Sequence, residues 1–258
     1  MKLSVVIASP GPKELLEECR NALESQQVEQ IIVSQGPGEL PSLRWSEIDR
    51  LDGDVIACLE GRSIPAPNWA EQVRAAHASG PETIGGIVRP APGATGFELG
   101  QYFSDHFVAA AAAQRAERIS DANVSYKRAY VERFRDRLAS GEWETALHAE
   151  AAARGELALT DARVVYRYEG RTRSQVFSER YRHGRGYAAR PEKRRDRILF
   201  APVLPFVLTG RSLRAALGSG LVGSFVRALP WTCALNIAWS VGEAVGGAFG
   251  VSTDADRH

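Results

Sequence analysis

The chain has 258 residues, of which 44% are apolar and 24% charged, with a formal net charge of +1. That much apolar material can bury a large core, which excludes global disorder, and the near-zero net charge argues against a polyanionic partner, so no nucleic acid is expected. Cys19, Cys58 and Cys233 lie far apart without metal-ligand spacing; this excludes a disulfide framework and a cysteine zinc site and fits a reducing, cytoplasmic compartment.

"KLSVVIAS" (Lys2 to Ser9) is β-branched and apolar on both faces, as a central parallel strand is. Its apolar run is short and is closed by Pro10 and Pro12, so it reads as a strand and not as a signal sequence. "KELLEECRNALESQ" then spaces Leu15, Leu16, Cys19 and Leu23 as a helical stripe. "VEQIIVSQGPG" predicts a second strand, "LPSLRWSEIDRLDG" a helix, and "DVIACLE" a third strand that runs into the charged turn Glu60-Gly61-Arg62. "APNWAEQVRAAHAS" returns to helix and "ETIGGIVRP" to a fourth strand. This alternation predicts an α/β fold, a doubly wound and mostly parallel sheet flanked by helices. Ligands of such folds bind at the carboxyl ends of the strands, which is where Glu60, Gly61 and Arg62 fall.

Farther on, "FELGQYFSDHFVAAAAAQRAER" predicts a helix, and "ISDANVSYKRAYVERF" a strand or turn leading into one. "GEWETALHAEAAARGE" predicts a helix with Trp143, Leu147 and Ala151 on its apolar side, and "LALTDARVVYRYEG" a late strand pair. From Arg163 to Arg197 there are 12 Arg/Lys against 4 Asp/Glu, a local +8 that can face phosphates, anionic lipid or water. "ILFAPVLPFVL" and "ALPWTCALNIAWSVG" are apolar but shorter than the roughly 20 residues a spanning helix needs. They read either as an interfacial segment with Trp231 and Trp239 at headgroup level, or as helices that cover a catalytic domain or a dimer face. The expected division is a domain over 1–190 and a helical, apolar appendage over 191–258.

The order of these pieces over roughly residues 3 to 190 resembles the family 2 glycosyltransferases, with their GT-A fold. "SVVIASPGPKELLEEC" is similar to the family's opening strand, loop and helix, and "GDVIACLEGRSIPAPNWAEQV" to its third strand and acidic D-x-D-type loop. "ISDANVSYKRAYVERF" resembles the acceptor-side segment, "GEWETALHAEAAARG" the helix that begins with an acidic pair, and "YRHGRGYAAR" a tail of bacterial members. The resemblance implies transfer of a sugar from a nucleotide-diphosphate donor to a polysaccharide or lipid-linked acceptor hydroxyl, and the basic band beside the two apolar stretches suits the inner face of a membrane. Developing charge on the leaving diphosphate needs a metal ion or cationic side chains, and the attacking hydroxyl needs a base.

Here the acidic motif is degenerate. Glu60 is the one carboxylate left to hold Mn2+ or Mg2+, and Arg62 stands where an acidic residue is usual; a guanidinium there can grip a diphosphate in place of a metal. Ser34 and Gln35 stand where the family has an Asp that meets the base, with Ser9 and Pro10 flanking the same donor pocket. By resemblance the base is Glu144, with Glu142 as the other candidate and His148 one helical turn on. Asp121, Asn123, Lys127 and Arg128 are assigned to the acceptor or diphosphate side, and Arg167 replaces a late His of the metal shell. A second reading remains beside this one: a catalytically inactive GT-A-like binding or scaffold protein in surface-polysaccharide assembly.

Overall fold

The structure is a computed structural model that describes residues 1–9, 13–78, 80–110, 116–140, 144–188 and 200–250. Pro10, Glu142 and Trp143, three positions of interest in the sequence, lie outside the described residues. The elements in chain order are β1 (Leu3–Ser9), α1 (Lys13–Glu24), β2 (Gln30–Gln35), α2 (Leu40–Trp45), β3 (Val55–Glu60), β4 (Ser63–Pro65), α3 (Trp69–Ala78), β5 (Thr83–Pro90) and α4 (Gly96–Asp105). They continue as β6 (Asn123–Lys127), α5 (Arg128–Glu132), α6 (Arg135–Ala139), α7 (Thr145–Arg154), β7 (Leu157–Tyr166), α8 (Arg173–Ala188), α9 (Leu204–Ser219) and α10 (Val222–Phe249).

The chain forms two compact units, one from Met1–Ala91 with Val108–Arg167, the other from Pro92–Phe107 with Tyr168–His258. The first unit ends at Arg167, and α8 belongs with the C-terminal helices of the second.

The first unit is a mixed α/β layer around one sheet of seven strands in the order β2-β1-β3-β6-β5-β7-β4. β1, β2, β3, β5 and β7 run one way, and β6 and β4 run against them. β1 has no exposed residue, which explains why "LSVVIAS" is apolar at nearly every position instead of alternating. α1 buries Leu16, Cys19 and Leu23, the periodic positions of its stripe. The chain leaves β1 for β2 in one direction and β2 for β3 in the other, so right-handed crossovers put α1 and α2 on opposite faces of the sheet.

One feature differs from the sequence expectation, and a second gives the expected strand a direction that the sequence left open. "LALTDARVVYRYEG" forms one long strand, β7, which turns past β5 at an irregularity between Gly86 and Val88. "NVSYK" is a complete strand that runs antiparallel between β3 and β5. This insertion decides the fate of several candidate residues.

Candidate active site

β1, β2 and β3 end together, and their registered pairs bring Ser34, Ala8 and Glu60 into one row across the sheet, followed by Ser9 with Gln35. Side chains alternate along β3. Glu60 turns toward α2, and Gly61 turns toward α1, where a Cβ would lie 2.6 Å from the Ser9 Oγ. The glycine in "CLEGRS" is there because the end of β1 occupies its side-chain space. Ser9 and Ser34 are both buried, while Gln35 is exposed.

On the α2 face two carboxylates and a backbone carbonyl meet one guanidinium. Arg44, fully buried, donates from Nη1 to Glu144 Oε1 at 3.0 Å and from Nη2 to the Asp121 carbonyl at 2.7 Å, and its Nη2 lies 3.7 Å from Glu60 Oε1. Trp45 Nε1 donates to the same Glu144 oxygen at 2.9 Å, and Tyr166 Oη donates to Glu60 Oε2 at 2.5 Å. Among the described residues, Glu144 Oε2 has no hydrogen-bond partner. Behind this group His148 Nε2 lies 2.7 Å from Tyr126 Oη, and its Nδ1 is 3.7 Å from Asp121 Oδ1.

The electrostatics follow from burial and this geometry. Withdrawal from water works to raise the Glu144 pKa, but Arg44 outweighs it and holds the carboxyl below the usual carboxylate range. Burial opposes the charge on Arg44, and Glu144 foremost outweighs it, so its pKa is raised. Asp121 is pushed up to about 7 by burial, against Arg44 and with the negative charges of Glu144 and Glu60. Its side chain keeps 31% of its surface in contact with solvent, which limits the rise but makes it the most accessible carboxylate of the three. Burial lowers the His148 pKa to about 4, so the imidazole is neutral at physiological pH.

The other candidates separate. Asn123 is buried on the opposite face, where its Oδ1 accepts from Trp69 Nε1 at 3.0 Å and its Nδ2 donates to the carbonyls of Ala162 at 2.7 Å and Ile87 at 3.3 Å. A Cβ on Gly86 would meet that amide nitrogen at 2.0 Å, so this glycine and Asn123 together bridge the irregular part of the β5–β7 pair. Lys127 Nζ donates to the Gly80 carbonyl at 2.7 Å, and Arg128 Nε to the Gly53 carbonyl at 2.8 Å. Lys127 pairs with Val55, at the amino end of β3, which is about 17 Å from Glu60 at 3.3 Å per residue. Crossing the sheet on β6 thus carries "KR" away from "DAN". Arg62 Nη1 lies 3.5 Å from the Arg167 carbonyl, and the Arg167 guanidinium makes two bonds to the Glu18 carboxylate of α1, at 2.8 and 3.0 Å. Arg62 and Arg167 therefore flank the strand ends next to Glu60, with Arg167 turned to the α1 face.

Among the described residues no group of three or more His, Cys, Asp or Glu is spaced to hold a metal. Glu60 has one oxygen on a tyrosine hydroxyl and the other facing Arg44, so a divalent ion bound there would lie against a guanidinium. The described residues do not fit a Mn2+ or Mg2+ site built by the protein. Arg44, Trp45, Tyr126 and Tyr166, which complete the cluster, were not singled out in the sequence. The only available signal was an arginine and a tryptophan side by side in a short helix, "LPSLRW".

No protein-family model matches the sequence, and no curated protein matches it. Among solved structures the chain is similar to the mannosyltransferase PcManGT from Pyrobaculum calidifontis in complex with GDP-Man and Mn2+, at 15% identity over 96% of this chain and 87% of that one, with a TM-score of 0.49. It is similar to S. aureus TarS 1-349 in complex with UDP, at 13% identity over 95% of this chain and 91% of that one, with a TM-score of 0.45. It is also similar to A197 from STIV, at 13% identity over 67% of this chain and 97% of that one, with a TM-score of 0.41.

Proposed function

We propose that this chain is a glycosyltransferase that moves a sugar from a nucleoside-diphosphate donor to a hydroxyl of a glycan or polyprenyl-linked acceptor at the inner face of a membrane. The observation that carries the reading is the convergence of Glu60, Asp121 and Glu144 on Arg44 at the carboxyl ends of β1 and β3, the edge at which doubly wound sheets take nucleotides. Ser9, Ser34 and Gln35 line the donor side of that edge. The acceptor oxygen forms its bond to the anomeric carbon as the bond to the diphosphate breaks, with the electron pair leaving on the diphosphate. Arg62 and Arg167 meet that charge without a metal, Arg167 by exchanging Glu18 for the diphosphate.

The acceptor proton goes to a carboxylate. Glu144, the base implied by the sequence resemblance, has a free oxygen but no exposed side-chain surface and a lowered pKa. Asp121 has open surface and a pKa raised toward neutrality, which suits a general base. The geometry favours Asp121 as the base and Glu144 as the residue that holds Arg44 in place.

Thermal shift against UDP- and GDP-sugars, with and without Mn2+ or EDTA, tests the donor, since a ligand that binds the native state raises its stability. One nucleotide sugar is expected to raise Tm independently of metal; no shift with any of them overturns the reading. Asp121→Asn is expected to lower turnover at least 100-fold while leaving donor binding intact. An active Asp121→Asn beside an inactive, folded Glu144→Gln returns the base to Glu144. One observation favours a second reading, a GT-A-like scaffold without turnover: the carboxylate expected as base is sealed under Arg44 and Trp45. Saturable donor binding with no transfer or hydrolysis would select it.

A further inference from the structure

The second unit carries most of the exposed apolar surface. Of the fourteen large apolar side chains exposed among the described residues, twelve lie between Phe200 and Phe249. They are ordered. Phe206, Leu213 and Leu217 share one stripe of α9, and Val226, Ile237 and Val241 share one stripe of α10; Phe206 is 78% exposed and Val226 63%. A cavity of about 540 Å³ runs where the two stripes meet, lined by Pro205, Phe206 and Thr209 on one side and Cys233, Ile237 and Val241 on the other. Its walls are almost wholly apolar.

The charges on this surface are of one sign. Residues 200–250 contain Arg211, Arg214 and Arg227, all exposed, and a single carboxylate, Glu243. Glu243 is buried and accepts from Trp239 Nε1 at 2.6 Å. Trp231 and Trp239, which one of the two sequence readings put at headgroup level, stack under the guanidinium groups of Arg173 and Arg180, 4.6 and 4.8 Å above their rings. No described helix is long and apolar enough to cross a membrane.

We propose that α9 and α10 form a docking surface for an anionic bilayer, in which the two apolar stripes enter the leaflet, the groove between them takes one lipid chain, and Arg211, Arg214 and Arg227 meet the headgroups. Exposed apolar patches this extensive are unusual on monomers and mark interaction sites, and an arginine-only rim without an exposed carboxylate selects an anionic lipid surface over a neutral one. The inference deepens the membrane-face part of the proposed function. Its test reads vesicle binding and not sugar transfer, so either can fail alone.

The full chain is floated with phosphatidylcholine vesicles with and without phosphatidylglycerol. It is expected to float with the anionic vesicles and to be released progressively by salt. Arg211→Gln with Arg214→Gln is expected to weaken partition about 30-fold, from two arginines near an anionic leaflet. Phe206→Ser with Ile237→Ser is expected to weaken it at least tenfold at every salt concentration; both positions are exposed, so thermal unfolding should not change. A chain that stays unbound to anionic vesicles overturns the proposal. So does a dimer, seen by light scattering, that the apolar pair dissociates without any vesicle binding, because the face is then an interface between copies.

Discussion

Replacing Arg44 by Met removes the cation from the carboxylate cluster and retains much of the volume of the side chain. In the native protein Glu144 is fully buried, and its one cationic partner among the described residues is Arg44, 3.0 Å away. At an effective dielectric of about 20, two unit charges at that distance attract by about 5 kcal/mol. Removing one member of a buried pair typically costs about 3–5 kcal/mol, because the remaining charge is neither paired nor hydrated. The Asp121 carbonyl also loses a donor at 2.7 Å. Urea unfolding of the full chain at pH 8 should therefore show a loss of about 3–5 kcal/mol in the transition that involves the sheet unit. The deficit should shrink as the pH falls. Without Arg44, the strongest influence that holds the Glu144 charge is gone and burial works to raise its pKa, so the carboxyl takes up a proton more readily as the pH falls and the buried charge disappears. Adding Glu144→Gln to Arg44→Met should recover part of the loss at pH 8. A deficit below about 1 kcal/mol, or one equal at pH 5 and pH 8, would refute the account of Arg44 as the cation that neutralises this cluster.

Two more outcomes are expected. Asn123→Leu leaves Trp69 Nε1 and the carbonyls of Ala162 and Ile87 without their partners, and should cost about 2–4 kcal/mol in urea unfolding with donor affinity unchanged; a stable variant with an altered acceptor KM would return Asn123 to the acceptor side. His77 and His148, whose pKa values burial lowers to about 4, stay neutral in the fold while the unfolded chain takes up protons near 6.5, so their contribution is lost as pH falls from about 6.5 to 4. Each accounts for about 3 kcal/mol at the acid limit, and His148→Gln should flatten that part of the urea-stability profile; an unchanged slope would count against it. Asp121 acts in the opposite sense, since its raised pKa makes stability fall as pH rises from about 4 toward 7.

The alternation of apolar strands with striped helices was enough to read a doubly wound, mostly parallel sheet, because strand burial on both faces and the 3.6-residue helical period leave marks in neighbouring residues. The placement of Glu60 at a strand end was legible for the same reason, since "DVIACLE" stops being apolar where the sheet stops. Pairing between distant segments leaves no such mark. The antiparallel insertion of β6 sent Asn123 into the core and Lys127 and Arg128 to the far end of the sheet, while leaving Asp121 beside Glu60. Arg44 reaches Glu144 across 100 residues of sequence, and neither residue type nor spacing distinguishes it from the exposed arginines around it. The C-terminal segments were visibly apolar, yet which side chains face outward depended on how α8, α9 and α10 pack together, so Phe206 and Ile237 are exposed while arginines of α8 lie over the tryptophans. Sequence determined what could be buried and in which local form. Tertiary structure decided which charges share a site, because a buried carboxylate needs a cation only after the fold has removed its water.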